Sequence, residues 1–204
     1  MTGPAFTLRD VRALMPNVAA YGGERRQHAV TGIAVHHSAT ANPITGVSMD
    51  DAQSIFRYHV EERGWDHGGY HYLVHPTGLV EYALDEAIPA YHAGFTDPDD
   101  ACGLEQGQYW NHHLIAVCIL GWFDRDRVTA DGTRIPDRFV TPSPVQWRTA
   151  VALLRTIAGR HGLGASDIYG HRELTGCRTA CPGANVDLDA LRRDIAAGAR
   201  SDEG

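Results

Sequence analysis

An α/β fold, a single domain with a central mixed β-sheet flanked by α-helices, is what this 204-residue sequence predicts. Three observations carry the prediction. Short apolar runs alternate with capped amphipathic segments, the pattern of strands laid against helices. The run Leu114–Leu120 is apolar throughout, as in a central strand covered on both faces. Between Tyr70–His75 and Leu79–Ala83, the tripeptide Pro76-Thr77-Gly78 reads as a hairpin turn, which interrupts the βα rhythm and makes the sheet mixed.

Taken in order, residues 1–28 read as a peripheral arm in which Thr7 caps a short helix over Leu8–Leu14, stopped by Pro16 and the Gly22-Gly23 pair. The domain proper spans residues 29–197. It opens with the strand Thr31–His37, where Ile33, Ala34 and Val35 lead into adjacent histidines. Ser48 and Asp51 form a capping-box pattern ahead of a helix bearing Ala52, Ile55, Phe56 and Val60, ended by Gly64. After the hairpin, a long loop through Ala93-Gly94, Asp97-Pro98 and Gly103 precedes the Leu114 strand. Trp122–Pro142 is polar, with an Asp131-Gly132 turn, and reads as a surface excursion. Ser143, Pro144 and Gln146 start a helix in which Trp147, Ala150, Val151, Leu154, Ile157 and Ala158 keep helical spacing until Gly162. Ile168-Tyr169 is a short strand, Leu188–Ala197 the last helix, and residues 198–204 a frayed tail.

Composition narrows the function. A net charge of −7 and a pI near 5.9 argue against a nucleic-acid binder or a polybasic membrane anchor. All 18 basic residues are arginine, so Schiff-base and phosphate-loop lysine chemistry are excluded. The longest apolar run is too short to span a bilayer, so no membrane insertion is expected. Met1–Asp10 lacks a basic start followed by an apolar stretch, so no secretory signal is read and a cytoplasmic location is expected. Without a signal, the four cysteines read as free thiols or metal ligands rather than as a disulfide framework.

Soft and borderline metal ligands concentrate at three places: His36-His37, His171, and Cys177 with Cys181. Three nitrogen and sulfur ligands leave a fourth position for water, the layout of a catalytic zinc site. No HExxH occurs and no second cysteine pair follows Cys181, which disfavours a zincin or a zinc ribbon. From the residues alone, a metal centre and a bland arrangement of surface histidines and core cysteines both stay open. In an extended strand His36 and His37 point to opposite faces, so one of them reaches a given metal, and spacing does not choose which.

The motifs Val35-His36-His37-Ser38-Ala39, Gly69-Tyr70-His71-Tyr72, Gly170-His171-Arg172 and Thr179-Ala180-Cys181-Pro182-Gly183 occur in this order, with Tyr91-His92-Ala93-Gly94 and Asn111 between them. Together they resemble the zinc-dependent N-acetylmuramoyl-L-alanine amidases, the group that includes short phage endolysins and peptidoglycan recognition proteins, over roughly residues 30–195. The resemblance implies one zinc ion per chain held by His36, His171 and Cys181, with Cys177 the main competitor to Cys181. It places Tyr70 beside the metal and Thr179 where some members carry lysine. Tyr70 and Thr179 are then the catalytic candidates, as hydrogen-bond donors that orient water and stabilise the oxyanion. An unperturbed tyrosine with a pKa near ~10 is a poor base at pH 7. His37, His92 and Asn111 are the candidate substrate-binding residues, with loop-tying the alternative for Asn111. His71 and His75 read as structural or solvent-facing, Cys118 as core, and Cys102 carries no role.

The implied function is hydrolysis of the amide between the muramic-acid lactyl group and L-alanine of peptidoglycan, in an open groove. The protein is expected to act as a monomer of phage-lysin type, accumulating in the cytoplasm and reaching the wall at lysis. The alternatives are a cytosolic amidase recycling muropeptides, a non-catalytic peptidoglycan-binding module, whose mark would be loss of the cysteine ligand, and a regulator that binds a protein partner.

Overall fold

The computed structural model describes residues 6–16, 28–39, 51–93, 104–124 and 140–199. Six strands form one sheet in the order β1-β4-β3-β5-β2-β6: β1 (Thr7–Asp10), β2 (Gly32–His37), β3 (Tyr72–Val74), β4 (Leu79–Tyr82), β5 (Leu114–Ile119) and β6 (Ile168–Gly170). Only the β3–β4 hairpin is antiparallel; β1 runs parallel to β4, and β3, β5, β2 and β6 are mutually parallel neighbours. The mixed sheet expected from the hairpin is therefore present, with β5 buried along its whole length at the centre.

Among the described residues, four α-helices accompany the sheet: α1 (Ala52–Arg57), α2 (Leu104–His113), α3 (Pro144–His161) and α4 (Leu188–Ala199). Strand alternation divides the core. Ile33 and Val35 of β2, Ile115, Val117 and Ile119 of β5, and Val74 of β3 pack against Leu153, Leu154 and Ile157 of α3 and Leu191 and Ile195 of α4. The opposite face carries Leu73, Ala116 and Cys118, covered by Ala52, Ile55 and Phe56 of α1. Each fully buried aliphatic side chain contributes ~1.5–3 kcal/mol. Gln146 of α3 is a polar residue inside this core, and its Nε2 donates to the carbonyls of Val74 and Leu120, each at 2.9 Å. It thereby satisfies the Leu120 carbonyl and adds a second bond to the Val74 carbonyl, which already accepts from Leu120 N–H at 3.0 Å.

The helix starting at Ser143 forms as expected: Ser143 Oγ accepts from the Gln146 N–H and Gly162 ends the helix in the left-handed region. Other expectations need correction. Thr7–Asp10 is an edge strand rather than the start of a helix, and only Arg12–Leu14 turns, as a short 3₁₀ segment. In α1 the N-cap is Asp51, whose carboxylate accepts from Ser54 N–H while Ser54 Oγ reaches back, so the capping box sits three residues later than Ser48 suggests; Ser48 lies outside the described residues. That helix continues as one π-helical turn, Tyr58–Glu62. The expected loop before β5 contains α2, and α4 runs on through Gly198 and Ala199. Residues 125–139 of the polar excursion and Cys102 lie outside the described residues. Among the described residues no helix is long and apolar enough to cross a membrane.

Candidate metal centre

Parallel pairing of β2 with β6 sets Val35 opposite Gly170, so His36 and His171 leave adjacent strand ends side by side. Strand alternation then decides between the two adjacent histidines. His36 shares the face of Ala34 and, across the ladder, pairs with Cys118. His37 lies on the α3 and α4 side, its ring 6.2 Å from that of Phe123 and its Nδ1 accepting from Phe123 N–H at 3.3 Å. Of the two, His36 is the one whose ring joins the donor cluster.

Cys181 completes the group. The donor atoms of His36, His171 and Cys181 all lie within 4.8 Å of one another, with His36 Nδ1 3.5 Å from Cys181 Sγ and the two imidazole centroids 4.6 Å apart. The backbone N–H of His37 points at Sγ from 3.4 Å, a contact that stabilises negative charge on sulfur. Burial pushes His36 well below the ordinary histidine range, with His171, His92 and His37 adding to the effect. His171 falls to about 4 for the same reason, burial first and His37 second. Both imidazoles are therefore neutral at pH 7 and offer lone pairs. Two neutral imidazoles and one thiol, buried and convergent, suit a tetrahedral, borderline-soft ion such as zinc.

The loop that carries Cys181 is held by its surroundings. Cys181 N–H donates to Thr179 Oγ1 at 3.1 Å, and the Cys181–Pro182 peptide is cis. Gly183 has φ +97°, and a Cβ there would sit 2.5 Å from the backbone of Phe123, so only glycine lets this loop lie against β5's continuation. Arg172, next to His171, clamps the loop: its N–H donates to Cys181 O at 2.8 Å, and its guanidinium donates to Gly183 O at 2.8 Å and Val186 O at 3.1 Å. The sequence motif contained Arg172 but gave no reason to assign it this task. Cys177 is disulfide-bonded, whereas Cys118 and Cys181 are not in a disulfide. This corrects the expectation of thiols throughout and removes Cys177 as a competitor for the metal.

Tyr70 precedes β3 rather than lying in it; its half-buried ring is 5.4 Å from that of His36. Behind it stands His59, which the sequence reading did not single out. The π-helical turn carries His59 into the interior, where it stacks on Trp65 at 4.4 Å, faces Tyr70 at 5.6 Å and accepts from Gly69 N–H at 3.2 Å. Burial, with Arg63 and His67 adding, lowers its pKa to about 3. A lone histidine on a helix has no sequence signal for this; the extra residue of the π turn is what re-aims it. His71 is structural, accepting from Ala116 N–H and bonded to Ile88 O, both at 2.9 Å. His92 is buried against His36, their facing nitrogens 3.0 Å apart. Asn111 Oδ1 accepts from the N–H groups of His92 and Ala93 at 3.1 and 2.9 Å. Of the two roles open to Asn111, the structure shows the loop tie.

A buried three-donor centre at the C-terminal ends of parallel strands, with hydroxyl side chains beside it, defines a metallohydrolase-type site on an α/β scaffold. The chain belongs to the N-acetylmuramoyl-L-alanine amidase family (Amidase_2), whose model matches residues 26–184, and it is an amide hydrolase of that type. It is 27% identical over 158 residues to the endolysin of Escherichia phage T7, covering 78% of this chain and 83% of that one. It is likewise 27% identical over 168 residues to peptidoglycan recognition protein 1 of Bos taurus, covering 81% and 73%. Among solved structures, an endolysin from a Thermus scotoductus bacteriophage shares the fold with TM-score 0.61 at 19% identity, covering 93% of this chain and 99% of that one. The amidase LysC of Clostridium intestinale matches with TM-score 0.58 at 20% identity, covering 81% and 85%.

Proposed function

We propose that His36, His171 and Cys181 hold one zinc ion, and that the chain cleaves the bond between N-acetylmuramic acid and L-alanine in cell-wall peptidoglycan as a phage-type endolysin. The observation that carries this reading is the convergence of three donor atoms from β2, the end of β6 and the 179–183 loop within 4.8 Å. When bound, zinc supplies Lewis acidity, lowering the pKa of water toward ~7 and polarising the scissile carbonyl.

The chain's own residues supply the rest. Neutral His36 and His171 present lone pairs without a proton to displace. Thr179 Oγ1 accepts from Cys181 N–H, and its hydroxyl hydrogen is the second donor assigned to the oxyanion. Tyr70 Oη donates a hydrogen bond that orients the attacking water and then stabilises the oxyanion of the tetrahedral intermediate.

The test is metal content together with product analysis on peptidoglycan, with and without chelator. About one zinc per chain and chelator-sensitive release of peptides beginning with L-alanine are expected. Cys181→Ala is expected to lose both metal and hydrolysis; a zinc-replete, active Cys181→Ala would overturn the ligand assignment. Bound zinc without cleavage of any wall type would leave a binding protein.

A further inference from the structure

The two ring nitrogens of His36 face different partners. Nδ1 looks toward Cys181 Sγ at 3.5 Å, while Nε2 lies 3.0 Å from His92 Nδ1. The rings of His36 and His92 meet edge-on, with centroids 5.0 Å apart and planes at 79°. His36 is 1% and His92 6% exposed, so water does not substitute at this contact. The chemistry of ligation then sets the protons. A metal-ligating imidazole must offer a lone pair on the nitrogen that faces the metal, which here is Nδ1. The ring proton of His36 therefore sits on Nε2 and is donated to His92 Nδ1. His92 must in turn hold its own proton on Nε2. The His92 ring is fixed from its backbone, because Asn111 Oδ1 accepts from both His92 N–H and Ala93 N–H. Asn111 belongs to α2 and is itself 1% exposed.

We propose that His92, anchored by Asn111, is a positioning residue for the metal centre. By accepting from His36 Nε2–H it fixes the tautomer and ring plane in which His36 Nδ1 meets the ion. This assignment rests on the reading of His36, His171 and Cys181 as a zinc centre. It gives His92 a task apart from touching substrate, and it explains why an asparagine on α2 ties down the backbone at residues 92 and 93. A hydrogen-bonded partner on the second ring nitrogen raises ligand basicity and removes the entropy of a free imidazole, and its loss weakens metal binding ~10- to 100-fold.

The experiment compares full-length wild type, His92→Leu and His92→Asn by competition for zinc against a chromogenic chelator. Absorption of the cobalt-substituted proteins and thermal melting of the metal-free proteins accompany it. Asn places an acceptor oxygen where His92 Nδ1 stood, and Leu places none. His92→Leu is expected to bind zinc ~10- to 100-fold more weakly and to shift the cobalt spectrum, whereas His92→Asn recovers most of the affinity. Should His92→Leu not fold, His92→Gln, whose amide cannot reach the Nδ1 position, replaces it in the comparison. Unchanged zinc affinity in His92→Leu, with a raised KM, would overturn the proposal in favour of a substrate-lining role while leaving the zinc centre standing. A wild type that retains no zinc would overturn the centre itself, and this assignment with it.

Discussion

Replacing Arg172 by methionine asks whether the clamp on the Cys181 loop is a structural element of the centre. Methionine keeps an unbranched stem of similar reach and removes the guanidinium donors to Gly183 O and Val186 O. The backbone bond from residue 172 to Cys181 O survives, so the variant isolates the side chain. A hydrogen bond from a charged donor contributes ~1.5–3 kcal/mol, and because Arg172 is half-buried the lower figure applies, giving about 3 kcal/mol for the pair. Unfolding entropy of ~2.1 cal/mol/K per residue over 204 residues amounts to about 0.43 kcal/mol/K, so Tm is expected to fall by about 7 °C. Zinc affinity is expected to fall with it, since a loosened loop has to be reordered when Cys181 takes up the ion. Scanning calorimetry of the metal-free protein and chelator competition measure the two quantities. A Tm within about 2 °C of wild type, with unchanged zinc affinity, would refute the reasoning: the two carbonyls would then be equally well served by water.

Tyr70→Phe is expected to retain zinc while turnover drops ~10- to 1000-fold; single-turnover hydrolysis with parallel metal analysis checks this, and full turnover would reduce Tyr70 to packing. An acid-sensitive share of the stability follows from two carboxylates, Glu81 buried and Glu86 half-buried. Burial would raise Glu81, but donation from His75, Ala52 N–H and Arg9 outweighs it and brings the pKa from 4.5 to about 2. Glu86, likewise opposed by burial, is lowered by Tyr72 Oη, His161 and Arg160. Because each folded-state pKa lies below the unfolded one, the unfolded chain binds more protons in this window. The share of stability that these two carboxylates contribute is therefore full above about pH 4.5 and declines as pH falls toward 2, with Glu81 alone accounting for about 3 kcal/mol. Glu81→Gln is expected to flatten that decline in urea titrations across the window, and an unaltered slope would count against the assignment.

Some of this protein is legible along the chain and some is not, for identifiable reasons. The α3 helix announces itself because Ser143, Pro144 and Gly162 are local signals whose bonds close within one turn. Strand β5 is legible because continuous apolarity needs no partner to be recognised. By contrast, β1 is exposed along its whole length, so no alternation marks it; it is a strand only because β4, some seventy residues on, offers it a ladder. Helix α2 is hidden for a related reason: Leu104–His113 holds few apolar residues at helical spacing, and tertiary packing overrides weak propensity.

The sequence by itself determined the chemistry available: two imidazoles and a thiol in motif order, a tyrosine and a threonine to donate hydrogen bonds, and no lysine to hold an oxyanion. Tertiary structure alone decided how those groups are used. Which of two adjacent histidines joins the donor cluster depends on the sheet having one face under α3 and α4 and the other under α1. Which cysteine joins that cluster depends on the fold setting Cys181 Sγ within 4.8 Å of both imidazole donors while Cys177 is held in a disulfide. That His59, His92 and Arg172 stand behind Tyr70, His36 and Cys181 depends on contacts 10, 56 and 11 or more residues apart. Donor identity is a property of single residues, whereas a nitrogen's partner is set by whatever the fold places 3 Å away.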